Sequence, residues 1–195
     1  MIYVMRHGQS IVNLDHHVLG GSLDGDLTTL GYNQAHHAGL WLKDKSIQQI
    51  IASPFERTQK TAEIVGKVLK LKPLANDDLR SLDCGDLEGD DSTSAWYEII
   101  NRWRGGEWDL AFPNGETFRQ VYDRFSRVLT QVTDNTLIIS HGNIIESVLP
   151  FLCINAAALQ RVGKPSHTGF VILESYDSRR FICNQGNRIK IVKEG

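Results

Sequence analysis

Five short runs of β-forming residues, Ile2–Met5, Gln48–Ala52, Thr136–Ser140, Gly169–Glu174 and Phe181–Asn184, are spaced so that helix-period segments fill the gaps between the first of them. This alternation constrains the fold most, because parallel strands need long crossover connections and the resulting sheet needs helices over both faces. Thr28 to about Lys43 carries Ala35, Ala38 and Leu42 at helical spacing, and Phe55 to Leu69 carries Ala62, Val65 and Leu69. Thr117 and Gln120 have the form of a capping box, with Val121, Phe125, Val128, Leu129 and Val132 behind them on one helical face. A further helix is expected from Asn143 to about Leu152, bent or ended by Pro150. The expected fold class is α/β: a three-layer α/β/α sandwich with a mainly parallel sheet. At 195 residues the chain suits one well-buried domain, 1–195, better than two.

Open α/β sheets bind ligands beyond the carboxyl ends of their strands, so the residues that end each apolar run carry the functional information. The first run stops at Arg6-His7-Gly8, the second leads into Ser53-Pro54-Phe55-Glu56-Arg57, and the third stops at His141-Gly142. Each group stands at or near the opening of a helix, where unpaired N–H groups and a partial positive charge stabilise anions. An imidazole beside a fixed guanidinium suits attack on an anionic centre such as a phosphoryl group. Taken singly, Arg57 reads as a surface helix residue and His141 as a turn histidine. Three such ends in one chain can converge on one phosphate.

In the order Arg6-His7-Gly8, Asn13, Gly20-Gly21, Leu27-Thr28-Thr29-Leu30-Gly31, Ser53 to Glu63, Gly85-Asp86-Leu87-Glu88-Gly89, Gly115-Glu116-Thr117 and Ser140-His141-Gly142, the set resembles the histidine phosphatase superfamily, in its phosphoglycerate mutase-like branch. The resemblance covers nearly the whole chain. It implies that His7 is phosphorylated during turnover, and that Arg6, Arg57 and His141 surround the phosphoryl group. It also implies substrate contacts from Asn13, Gly21 and Gly142, with no metal and no cofactor. Attack requires a neutral His7, a state that neighbouring guanidiniums and burial both favour.

One position departs from the family pattern. The glutamate that usually supplies the proton, four residues before the glycine of Gly85-Asp86-Leu87-Glu88-Gly89, is Ser81 here. A serine hydroxyl positions water or substrate but is too weak an acid to protonate an alkoxide. Asp83, two residues on and on the same side of an extended segment, is the candidate donor, with a solvated structural Asp as the alternative reading. The resemblance implies a variable cover segment at about 90–114, where Trp96, Trp103 and Trp108 serve either substrate selection or core packing. Glu116 is tied either to an active-site residue or to a helix start. The resulting expectation is a metal-independent phosphatase acting on phosphomonoesters of small molecules. A protein phosphohistidine phosphatase, a phosphoglycerate-type mutase and a phosphate-ligand binding protein remain alternatives. The mutase is disfavoured because mutases of the family carry a Glu-Arg-His-Tyr-Gly type sequence where this chain reads Ser81-Leu82-Asp83-Cys84-Gly85.

The remaining composition excludes other classes. A formal net charge of −2 leaves no basic stripe for nucleic acid, so the expected partner is a small phosphorylated metabolite. No apolar run reaches membrane-spanning length, and the first strand opens at Ile2 with no room for a leader, so a cytoplasmic location is expected. Cys84, Cys153 and Cys183 are odd in number and widely spaced, which argues for reduced buried thiols, with Cys84 the one exposed to oxidation by its position near the site. The pairs His16-His17 and His36-His37 and the lone His167 read as surface or loop residues. Nothing in the sequence fixes an oligomeric state.

Overall fold

The computed structural model describes residues 1–14, 23–89, 93–155, 165–175 and 180–187; Gly21 and the His16-His17 pair lie outside them. Six strands form one sheet: β1 (Ile2–Arg6), β2 (Gln49–Ala52), β3 (Leu74–Ala75), β4 (Thr136–Ser140), β5 (Phe170–Ser175) and β6 (Phe181–Asn187). Their order is β3-β2-β4-β1-β5-β6, in which β1 to β4 run parallel while β5 pairs antiparallel with both β1 and β6. The helices are α1 (Thr29–Leu42), α2 (Glu56–Leu69), α3 (Thr93–Arg104), α4 (Phe118–Gln131), α5 (Gly142–Ser147) and α6 (Leu149–Leu152). The mixed α/β architecture with a mostly parallel sheet is the one the alternating pattern requires.

Alternation along the strands builds the layers. On β1, Tyr3 and Met5 join Ile50, Ala52, Leu137 and Ile139 against Ala38 and Leu42 of α1 and Ala62 and Val65 of α2. Ile2 and Val4 join Ile51, Ile138 and Val171 on the opposite face, against Trp103 of α3, Val121, Phe125 and Val128 of α4, and Ile144 and Leu149 of α5 and α6. Strands covered on both faces read as nearly continuous apolar runs, which is why β1 and β4 stand out in the sequence.

Local chemistry sets the boundaries. Thr117 caps α4 and forms the capping box with Gln120. The expected helix after His141 is divided at Val148: Pro150 falls within the first turn of α6, where its missing N–H is not needed, so the break precedes the proline. Strand β3 escapes the sequence because it has two residues, both exposed.

Candidate active site

Strand register delivers three of the expected site residues to one edge. Arg6 pairs with Ser140 and Ala52 with Ile139, so β1, β4 and β2 end side by side. The backbone amide of His7 donates to the Ser140 carbonyl at 3.0 Å, and that of Ser53 to the Ile139 carbonyl at 3.0 Å. His7, His141 and the Ser53–Arg57 segment therefore leave the sheet together. The turn after His7 is held close to α1: a Cβ on Gly8 would lie 2.7 Å from the Gly31 carbonyl oxygen, and one on Gly31 would lie 1.9 Å from that of Gln9. Glycine is required at both positions because backbone meets backbone there.

The hydrogen bonds of His7 fix its tautomer. Its Nδ1 lies 2.7 Å from the Gly8 carbonyl, which can only accept, so Nδ1 carries the hydrogen and the lone pair of the neutral ring is on Nε2. The residue is 3% exposed. Burial, followed by the charges of Arg57 and Arg6, holds the imidazole well below its ordinary pKa against a smaller opposing pull from the Gly8 bond. The neutral ring thus presents the Nε2 lone pair in a fixed orientation.

His141 has the opposite tautomer. A guanidinium only donates, so Arg57 Nη2, 3.2 Å from His141 Nδ1, makes that nitrogen an acceptor, and Nε2–H donates to Ser53 Oγ at 2.9 Å. Burial, with Arg57 next, holds this imidazole well below its ordinary pKa too. The ring centroids of His7 and His141 are 5.3 Å apart.

Arg57 sits at the amino end of α2, where the carboxylate of Asp24 accepts from Arg57 Nη1 at 2.9 Å and from the backbone N–H groups of Glu56 and Arg57. One carboxylate therefore caps the helix and orients the guanidinium. Arg6 donates from Nη1 to the Pro165 carbonyl at 2.9 Å, while its Nε–H is buried with no hydrogen-bond partner among the described residues. Burial lowers the Arg6 pKa to about 10, with the Arg57 charge adding to the effect, so it stays cationic at neutral pH. A buried orphan donor on a cationic side chain beside a neutral imidazole suits an anion's oxygen.

Asn13 faces the same region, its Oδ1 accepting from Ser10 N at 3.1 Å and lying 3.0 Å from His167 Nε2. Gly142 opens α5 directly after His141. Ser81 is buried, and its hydroxyl accepts from Asn143 Nδ2 at 3.0 Å, so the two form a short polar pair. Asp83 does not share that environment: it is exposed, and its Oδ1 accepts from the Gly85 N–H at 2.9 Å. Among the described residues no hydrogen bond or ion pair joins Asp83 to Arg6, His7, Arg57 or His141.

The sequence left four residues of the assembly without a site role. Asp24 and Ser53 orient Arg57 and His141. Arg124 is buried with all five N–H donors used, on the carbonyls of Asp78, Arg80 and Ser81 and on both carboxylate oxygens of Glu116. Glu116 also accepts from the Asp83 N–H, so this ion pair grips the Asp78–Asp83 segment beside the pocket. His167, read as a loop residue, has its ring centroid 5.9 Å from that of His7 and its Nε2 2.8 Å from Arg6 Nη2. Burial pushes the Cys84 and Cys153 thiols up to about 12 and the Cys183 thiol to about 11, which disfavours the reactive thiolate at all three.

Among the described residues no group of three or more His, Cys, Asp or Glu could hold a metal ion, and no helix is long and apolar enough to cross a membrane. The chain is 32% identical to an uncharacterized phosphatase, PhoE, of Bacillus subtilis over 153 residues, 76% of this chain and 75% of that one. It is equally identical over 150 residues to the Escherichia coli protein described as "Probable phosphoglycerate mutase GpmB", covering 72% and 69%. A mycobacterial glucosyl-3-phosphoglycerate phosphatase superposes with a TM-score of 0.77 at 21% identity over 94% of this chain and 95% of that one. A putative alpha-ribazole-5'-P phosphatase from Escherichia coli superposes at 0.75 with 22% identity, covering 96% and 95%. These two likenesses establish the fold. The sequence pattern of the histidine phosphatase superfamily (branch 1) matches residues 2–187, a span that holds both histidines and both arginines described above, and the chain belongs to that family.

Proposed function

We propose that the protein is a metal-independent phosphatase that hydrolyses phosphomonoesters of small metabolites through a phosphohistidine on His7. The observation that carries this reading is the neutral His7 ring, its Nε2 lone pair unclaimed among the described residues, set among Arg6, Arg57 and His141. Nε2 attacks phosphorus in line with the departing oxygen. The guanidiniums of Arg6 and Arg57 hold the equatorial oxygens, with the orphan Nε–H of Arg6 supplying one donor. The phosphohistidine then passes its phosphoryl group to water, which divides one difficult displacement into two easier ones.

A hydrolase rather than a mutase is favoured by the segment Ser81-Leu82-Asp83-Cys84-Gly85, which keeps only the glycine of the Glu-Arg-His-Tyr-Gly type sequence carried by mutases of the family. In the region of the cover segment, Trp103 is fully packed and its indole N–H donates to the Leu110 carbonyl at 2.8 Å, whereas Tyr97 of α3 is 56% exposed. We assign the tryptophan to anchoring α3 and the exposed face to contact with the non-phosphate part of the substrate. A cytoplasmic location suits three cysteines that are all free thiols. The test is phosphate release from an aryl phosphate and a panel of small alkyl phosphates under metal chelation, beside His7→Ala. Hydrolysis by the wild type that His7→Ala abolishes supports the reading. Activity that survives His7→Ala, or that requires added metal, overturns it.

A further inference from the structure

Cleaving an alkyl phosphate expels an alkoxide, and a positioned proton donor there is worth roughly two to four powers of ten in rate. The titratable groups at the pocket divide sharply in their ability to serve. His141 accepts from Arg57 and gives its one hydrogen to Ser53, Asp24 is paired with Arg57, Ser81 is paired with Asn143, and the Asp83 carboxylate turns back onto Gly85. His167 is half-buried, with its ring centroid 5.9 Å from that of His7 and its Nε2 turned to Arg6 and Asn13.

Among the described residues His167 Nε2 meets two groups with incompatible demands. Arg6 Nη2, 2.8 Å away, can only donate and requires a lone pair on His167 Nε2. Asn13 Oδ1 lies 3.0 Å away and accepts from both Ser10 N and Ser10 Oγ, which identifies it as the amide oxygen; it requires a hydrogen on the same atom. His167 Nε2 therefore has a partner in either protonation state, as a group that gives up and takes back a proton needs. The backbone is built to aim it. Thr168, the next residue, is β-branched yet has φ +55°, a strained conformation held by its N–H donating to the Arg6 carbonyl at 3.1 Å, while Gly169 accepts from the Arg6 N–H at 2.9 Å. Strain of this kind persists only where the surroundings enforce it.

We propose that His167 is the proton donor of the reaction, a role that rests on the phosphatase reading given above. As His7 Nε2 forms its bond to phosphorus, the bond from phosphorus to the leaving oxygen breaks. That oxygen keeps the electron pair and takes the hydrogen of protonated His167 Nε2–H, releasing the alcohol and leaving His167 neutral. In the second step His167 Nε2 removes a proton from the attacking water, the phosphorus–nitrogen bond breaks, and its electron pair returns to His7. The Arg6 guanidinium opposes the protonated imidazole that the first step uses, and the negative charge of the bound phosphate offsets it.

His167→Gln is the decisive variant, because the amide can accept from Arg6 and donate to Asn13 but cannot release a proton. The experiment compares kcat/KM on an aryl phosphate, whose leaving group needs little protonation, with that on an alkyl phosphate, for the wild type, His167→Gln, His167→Ala and Asp83→Asn. The proposal expects both His167 variants to lose at least about a hundredfold more on the alkyl than on the aryl substrate, with Asp83→Asn showing no such selective loss. It is overturned if His167→Gln restores alkyl activity lost in His167→Ala, if both substrates suffer equally, or if Asp83→Asn shows the selective loss instead. A wild type inactive on the aryl phosphate as well removes the phosphatase reading itself, and the donor with it.

Discussion

Replacing Glu116 by alanine strips the buried guanidinium of Arg124 of its counter-charge, and the cost follows from the bonds it makes. Arg124 is 6% exposed and Glu116 14% in their side chains, and two of the five donors of Arg124 end on the Glu116 carboxylate. An uncompensated charge at such a site costs about 3–5 kcal/mol, a large share of the roughly 5–15 kcal/mol that holds a domain folded. Arg124→Met should cost a similar amount, because it leaves the carbonyls of Asp78, Arg80 and Ser81 and the carboxylate without donors. The double variant repeats most of the same loss, so the two effects should fall short of additivity by about 2–3 kcal/mol. Urea denaturation of the four proteins measures this, and each single change should lower Tm by about 10 °C. Singles costing less than about 1 kcal/mol, or a cycle additive within about 0.5 kcal/mol, would refute the view that this ion pair is the clamp on the Asp78–Asp83 segment.

Other changes separate charge from geometry. Asp24→Asn should keep the cap on α2 and lose less than about 1 kcal/mol, yet cut kcat/KM about tenfold or more by releasing Arg57; equal activity in the wild type and this variant would contradict the orienting role. Folding stability should fall with acidification. His7 and His141 are held well below their ordinary pKa, chiefly by burial, so below pH 6.5 the unfolded chain binds protons that the folded chain refuses. The loss approaches about 1.4 kcal/mol per pH unit for each ring, and denaturation midpoints that stay level between pH 7 and 5 would contradict it. Cys84, Cys153 and Cys183, buried with raised pKa values, should resist an aromatic disulfide reagent in the folded protein and react on unfolding; rapid labelling of native protein would show that their burial is not maintained.

The parts of the fold that the sequence disclosed were those set by local rules. Strands β1 and β4 announce themselves because burial on both faces makes them continuously apolar, and α4 because Thr117 and Gln120 complete a capping box ahead of an apolar stripe. Arg6, His7, Arg57 and His141 were legible because the carboxyl ends of parallel strands converge, so three strand ends in sequence become one site in space. Partners chosen by tertiary contact were not legible. Asp24 meets Arg57 across 33 residues, and His167 meets Arg6 across 161, with no periodicity to connect either pair. Asp83 illustrates the limit of a period-two argument, since it holds only in a strand. Ser81 and Leu82 are both buried and Asp83 is exposed, because the segment is shaped by the Arg124–Glu116 clamp rather than by a sheet.

The central claim, a phosphoryl group carried by His7, is tested most directly by mixing the protein with an aryl phosphate, quenching in alkali, and locating the bound phosphate by mass spectrometry. The account predicts an acid-labile, alkali-stable phosphate on the peptide that contains His7, present at steady state and missing from His7→Ala. Turnover by His7→Ala, or a phosphate carried on any other residue, would contradict it.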